Sequence, residues 1–258
     1  MNETSLQHSL PIFLWIIFMF AFQKGQTYHN ENIHSMKNDS SQMTVYLIPG
    51  HGSDHRVFNH LSFPDHYTIR HVHFQMPEKG ASMEEYALEL AKQIDTSEAF
   101  ILVGVSLGGM LATEMNEFLS PQKTFIIASA KCRQELPLRY RFQKYVPIQK
   151  LVPPSWIKQG ALVLQPIVEP DRKEHADTYI SMLKDKDPDL MARGVAMILN
   201  WERENYHQNI IHIHGTKDHT LPIRNIDYNY RIKGGSHMIT LNRGEEITKI
   251  IQRELNHL

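Results

Sequence analysis

Phe100-Ile101-Leu102-Val103-Gly104-Val105-Ser106-Leu107-Gly108-Gly109-Met110 is the stretch on which the reading of this chain turns. Phe100–Val103 is continuously apolar, as a strand buried on both faces must be. Gly104, Ser106 and Gly108 then spell G-x-S-x-G, and an amphipathic helix is expected over Met110–Phe118. With Gly and Ser each near ~7% of residues, chance produces the bare pattern only about 0.1 times in a chain of this length. Its context is more specific than the pattern. A serine in a sharp strand-to-helix turn is held in a strained conformation with its hydroxyl projecting. Gly104 and Gly108 are small because neighbouring side chains would collide there, and the helix amino terminus sets a positive field under the hydroxyl.

A serine hydroxyl is a weak nucleophile and needs a base and an orienting acid. Two later segments can supply them. His214-Gly215-Thr216-Lys217-Asp218 follows an apolar strand over Ile210–His214, which puts Asp218 in a loop at the strand's carboxyl end. Gly234-Gly235-Ser236-His237 follows a strand over Tyr228–Lys233, which puts His237 at the same edge. Reactive groups gather at that edge in open α/β sheets. The order Ser106, Asp218, His237 is the chain order of a nucleophile-elbow enzyme.

The remaining elements complete an alternating pattern. Strands are expected over Val45–Ile48, Tyr67–Phe74 and Thr124–Ala128, and helices over Met83–Ile94 and Glu245–Leu255. Short apolar runs separated by helices predict an α/β, mostly parallel sheet covered on both faces. The rhythm breaks from about Lys131 to Glu204, where Pro137, Pro147, Pro153, Pro154, Pro166, Pro170 and Pro188 interrupt any long element. That region reads as a helical insertion between two strands, with a helical stretch at Asp189–Trp201. Its first part, Lys131 to Lys150, carries Lys131, Arg133, Arg139, Arg141, Lys144 and Lys150 against Glu135 alone. Such a run is usually a solvated face, with attraction for an anionic substrate or a membrane surface as the other reading.

Together these motifs resemble the α/β-hydrolase superfamily, over about residues 44–256. The resemblance implies a serine hydrolase of carboxylesterase type, with Ser106 as nucleophile, His237 as general base and then acid, and Asp218 as orienter of the imidazole. Its partner would be a small-molecule acyl substrate, an ester or thioester. The sequence has no dinucleotide fingerprint, P-loop or EF-hand loop, so no cofactor is expected. The family places a Gly-containing loop beside the elbow, here Ile48-Pro49-Gly50-His51-Gly52-Ser53-Asp54. With Gly50 as the family glycine, the backbone N–H groups of His51 and Leu107 form the oxyanion hole. With His51-Gly52 as the pair, Ser53 donates instead. Fuller members carry a β-hairpin ahead of this loop's strand, and the polar stretch Gln23–Gln42 does not supply it. A reduced sheet of about six strands is therefore expected, with the insertion as a lid. A non-catalytic binder of a hydrophobic ligand is the alternative from another class, and amidases, C–C hydrolases, lyases and cofactor-free peroxidase-type enzymes share the fold.

Composition narrows the field further. The 258 residues suit one domain, with 41% apolar and 21% charged residues as in ordinary globular proteins. A net charge of −1 argues against a nucleic-acid partner. The single cysteine, Cys132, forms no internal disulfide and excludes cysteine-ligated metal sites. Sixteen histidines stand out. His71-x-His73 and His212-x-His214 each place two imidazoles on one strand face, a spacing that binds zinc in some proteins. No HExxH or carboxylate motif accompanies them, so the metal expectation is none.

Residues 1–43 read as an address segment and linker. Leu10–Phe22 is an uncharged run of 13 residues, the length of a signal-peptide h-region and short for a span of ~20 residues. Its flanks fit export poorly: Glu3 with no Lys or Arg before it, and Lys24 after it. Export or membrane anchoring through residues 10–22 is the expectation. A start at Met36 or Met43 would leave a cytoplasmic enzyme. Asn38-Asp39-Ser40 matches a glycosylation sequon that matters only in a eukaryotic secretory chain.

Overall fold

In a computed structural model of the chain, residues 43–145, 152–168 and 175–258 are described; the apolar run 10–22, the sequon and Lys150 lie outside them. Strands β1 (Met43–Ile48), β2 (Tyr67–His71), β3 (Phe100–Val105), β4 (Lys123–Ile127), β5 (Ile210–Gly215) and β6 (Tyr230–Ile232) form one sheet in the order β2-β1-β3-β4-β5-β6. Each adjacent pair is parallel. The chain runs outward from β1 to β2, then returns to place β3 on the other side of β1. That reversal opens a crevice at the carboxyl ends of β1 and β3, where open α/β sheets bind ligands.

Side-chain alternation sends β-strand residues to two separate cores. Tyr46, Ile48, Leu102 and Ile126 pack under helices α1 (Met83–Ala91) and α2 (Leu107–Met115). Val45, Leu47, Val103, Val105, Phe125 and Ile127 face the closing helix (Gly244–Leu255), which buries Ile247, Ile251 and Leu255 at helical spacing. All six residues of β3 are buried. Burying each of its large aliphatic side chains contributes about 1.5–3 kcal/mol. Helix α1 starts at Ser82, whose hydroxyl accepts from Glu85 N–H while the Glu85 carboxylate accepts from Ser82 N–H, a complete capping box.

Between β4 and β5 lie α3 (Leu138–Gln143), α4 (Pro154–Val168), α5 (Ala176–Asp185) and α6 (Pro188–Asn200). Asp187 caps α6, accepting from the Asp189 and Leu190 amides, with Pro188 in the first turn where its missing N–H is not needed. After β6 come the short α7 (Ile239–Asn242) and the closing helix α8 (Gly244–Leu255). Among the described residues no helix is long and apolar enough to cross a membrane.

Several boundaries differ from the sequence expectation. Helix α2 begins at Leu107, directly after Ser106, because Gly108 and Gly109 are recruited into its first turn despite their low helix propensity. Strand β2 ends at His71, so His73 is off the strand and is instead bridged to Gln93 through its backbone N–H and C=O. The basic run is not a solvated face in its first half. Lys131 is buried, with Nζ 3.1 Å from Asp227 Oδ2 and over the Tyr206 ring. Arg133 donates to the carbonyls of Trp201, Leu199 and Arg141. Cys132 is buried, and burial pushes its thiol pKa up.

Candidate active site

The elbow is forced by backbone collisions. A Cβ on Gly104 would lie 2.3 Å from Gly108 O, and one on Gly108 would lie 2.1 Å from Ile48 O. Only hydrogen atoms fit where β1, β3 and the start of α2 converge. Between the two glycines Ser106 adopts φ 52°, ψ −119°, a left-handed conformation costing of order 1–3 kcal/mol for a non-glycine residue. Its own hydrogen bonds hold it there. Ser106 N–H donates to Ile127 O (3.0 Å), and its carbonyl accepts from Ser129 Oγ (2.6 Å) and Gly109 N–H (2.9 Å).

Asp218 and His237 arrive on two loops that cross at close range. A Cβ on Gly215 would stand 2.4 Å from Gly235 O, and Lys217 N–H donates to that same oxygen at 2.8 Å. Asp218 is buried, and its Oδ1 accepts from the amides of Thr220 (2.8 Å) and Leu221 (2.7 Å). Its Oδ2 lies 2.7 Å from His237 Nδ1, and His237 Nε2 lies 2.8 Å from Ser106 Oγ. Burial pushes the Asp218 pKa up, but His237, His214 and the Leu221 amide outweigh it and hold the carboxyl below its ordinary range. Asp218 is therefore an acceptor at neutral pH. His237 Nδ1 must carry the proton, leaving Nε2 as acceptor for the Ser106 hydroxyl. Ser106, Asp218 and His237 are thus brought together in one hydrogen-bonded line.

His51 lies in the loop after β1, with its ring against α6 of the insertion. Its Nε2 is 2.8 Å from Met191 O on α6. The ring sits against Gly194, where a Cβ would be 2.7 Å from Cδ2. Burial lowers the His51 pKa, with the Met191 carbonyl acting the other way, so the ring is neutral and donates through Nε2. The backbone N–H groups of His51 and Leu107 have no partner among the described residues. Ser53 N–H, by contrast, donates to Gly50 O at 3.1 Å. A narrow, nearly filled cleft beside the elbow is lined by His51, Phe74, Tyr86, Leu107, Met191 and Met197, with a free volume of about 10 Å³.

Two residues near the site carried no role in the sequence reading. Ser129, which clamps the Ser106 carbonyl, follows a strand end where Ala128 has φ 46°; no local pattern marks either. Gly194 carries no signal at all, since its reason is the distant His51 ring. His212 and His214 do share a face of β5, with Nε2 of His212 3.1 Å from Nδ1 of His214. Among the described residues no cluster of three or more His, Cys, Asp or Glu side chains is arranged to hold a metal ion.

No family model matches the sequence, and no curated protein does. Solved structures do match in shape. A thermophilic esterase from Thermogutta terrifontis superposes with a TM-score of 0.65 at 15% identity, over 84% of this chain and 91% of its own. The chain has the α/β-hydrolase fold. A lipase-esterase related protein from Clostridium acetobutylicum gives a TM-score of 0.61 at 14% identity, covering 84% of this chain and 95% of that one. A bromoperoxidase from Bacillus anthracis gives 0.61 at 15% identity, covering 84% and 92%. The six-stranded parallel sheet expected from the sequence is the sheet found.

Proposed function

We propose that the chain is a serine hydrolase that cleaves a carboxylic ester or thioester through an acyl-Ser106 intermediate. The observation that carries this reading is the unbroken line from Asp218 Oδ2 to His237 Nδ1 at 2.7 Å and from His237 Nε2 to Ser106 Oγ at 2.8 Å. Ser106 Oγ attacks the acyl carbonyl as its proton passes to His237 Nε2. The imidazolium is stabilised by Asp218, already bound through Nδ1–H. The carbonyl oxygen becomes an oxyanion and accepts from the His51 and Leu107 amides; the Ser53 amide is already committed to Gly50 O, which favours His51. Each such donor is worth about 3–4 kcal/mol in comparable sites. His237 returns the proton to the leaving alkoxide or thiolate, and water repeats the sequence to free the acid. The insertion serves as a lid over the apolar cleft beside the elbow, and it must shift for an acyl chain to enter, because the closed cleft has room for about one water molecule. Export or anchoring through residues 10–22 belongs to the same proposal.

The test uses short p-nitrophenyl esters and a fluorophosphonate probe. The expected result is ester turnover with covalent labelling at Ser106, and loss of both in Ser106→Ala, with turnover falling by roughly 10⁴-fold or more. A folded protein that neither turns over esters nor takes the probe, and that Ser106→Ala leaves unchanged, overturns the reading.

A further inference from the structure

Behind Asp218 stand two imidazoles for which the proposed chemistry has no use. His212 and His214 are fully buried on one face of β5, where Ile would pack as the other core positions of the sheet do. His214 Nε2 lies 2.8 Å from Leu221 O and 3.3 Å from Asp218 Oδ2. A carbonyl oxygen only accepts, so His214 Nε2 carries a proton. Burial lowers the pKa of both rings, so each holds one proton. His214 Nδ1 is then bare, and His212 Nε2 must donate to it across 3.1 Å. His212 Nδ1 is buried without a well-formed hydrogen bond, although the Asp227 and Ser129 backbone lies near the ring, a cost that two aliphatic residues would not incur.

We propose that His214 is a positioning residue for Asp218, a role that rests on the Ser106–His237–Asp218 reading of the site. Its Nε2–H clamps Leu221 O, at the far end of the turn whose Thr220 and Leu221 amides grip Asp218 Oδ1. The same N–H edge lies beside Oδ2, the oxygen bound by His237. His212 locks the tautomer. A His214 with its proton on Nδ1 would turn a bare nitrogen toward Leu221 O and Asp218 Oδ2, both acceptors.

The experiment compares His214→Phe, His214→Gln and His212→Phe in the full chain. Two readouts are used: kcat and KM on a p-nitrophenyl ester, and the low-field ¹H resonance of the His237 Nδ1 proton in ¹⁵N-histidine-labelled protein, assigned by its loss in His237→Ala. Gln can donate to Leu221 O and Phe cannot. His214→Phe should lower kcat by about 10- to 100-fold with KM unchanged and shift or broaden the resonance. His214→Gln should restore most of both, and His212→Phe should act in the same direction by less. If His214→Phe does not fold, His214→Asn makes the same comparison, since its amide is too short to reach Leu221 O. A His214→Phe protein with unaltered kcat and resonance overturns the proposal, as does a Gln variant no better than Phe. Should the wild type turn over no ester, the hydrolase reading falls, while the resonance still decides how Asp218 is held.

Discussion

Ser106, Asp218 and His237 are set by the backbone of the sheet edge, whereas His51 leans on α6 of the insertion. The first group is fixed by contacts that no side-chain motion can relieve: glycine against carbonyl at Gly104–Gly108, Gly108–Ile48 and Gly215–Gly235. The second is fixed by one imidazole–carbonyl hydrogen bond and one close approach, His51 to Met191 O and His51 to Gly194. The elbow helix α2 is buried along its whole length, while Leu138, Phe142, Tyr145, Trp156 and Val163 on or beside the insertion helices α3 and α4 are exposed. Ser106 and His237, the proposed nucleophile and base, therefore sit in rigid ground, and His51, the proposed oxyanion donor, sits on the boundary with a looser region. Loops that bind and move are drawn from the less densely packed parts of a fold.

The largest effect that separates the two halves comes from Asp218→Asn. The Thr220 and Leu221 amides can still bond the Asn carbonyl oxygen, so the turn is kept. Its NH₂ then faces His237 Nδ1 and favours the tautomer with the proton on Nε2, which cannot accept from Ser106. A fall in kcat of about 10⁴-fold is expected with little change in KM or in the thermal midpoint. Steady-state kinetics with a circular-dichroism melt checks it, and a loss under 10-fold would mean that the carboxylate does not orient the base.

The same contrast explains what was legible in the sequence. The elbow could be read because its constraint is local: Gly104 and Gly108 flank the serine they make room for. Asp218 and His237 could be read because each follows its strand directly, so their meeting needs only that β5 and β6 be neighbours. The insertion obeys no such rule. Lys131 and Arg133 belong to a run of positive charge, but their partners Asp227 and Trp201 are 96 and 68 residues away. His212 and His214 were legible as a pair on one face. Their purpose was not, because it depends on how the Asp218 turn folds back to place Leu221 O. The preference for His51 over Ser53 in the proposed oxyanion hole was likewise beyond the sequence, since it rests on a single backbone bond from Ser53 to Gly50.

Gly194→Ala probes the looser half and should have an intermediate effect. In a helix interior, Ala is favoured over Gly by about 1 kcal/mol, so propensity alone predicts a stabler protein. The added Cβ would be 2.7 Å from His51 Cδ2 and 3.3 Å from Nε2, so the ring must move off Met191 O and take its backbone amide with it. We expect kcat to fall about 10-fold with the melting temperature held or raised. Kinetics and a melt on the same preparation separate the two contributions. An unchanged kcat would show that α6 does not set the donor.

The smallest effect is expected a few residues further along the same loop. Asp54 accepts from Arg56 Nε (2.9 Å) and Arg56 Nη2 (2.6 Å), and Arg56 reaches on to Ser181 Oγ and Asp185 Oδ2 of α5. Burial pushes the Asp54 pKa up, but Arg56 and Lys186 outweigh it and draw the carboxyl down from 3.8 to about 2. A folded-state pKa below the unfolded value means that the stabilisation is complete above the unfolded pKa and is lost as pH falls through the folded one. Asp54→Asn should therefore lower stability by about 1–2 kcal/mol at pH 7, a figure reduced for the solvent that reaches the cluster. The gap between the two proteins should hold down to about pH 5 and close between about pH 4 and pH 2. Urea unfolding of both at pH 7, 5 and 3 measures it. A gap that does not narrow with acid would assign the contact to hydrogen bonding that Asn lacks rather than to charge, and the loop would then be tied to the insertion as rigidly as the elbow is tied to the sheet.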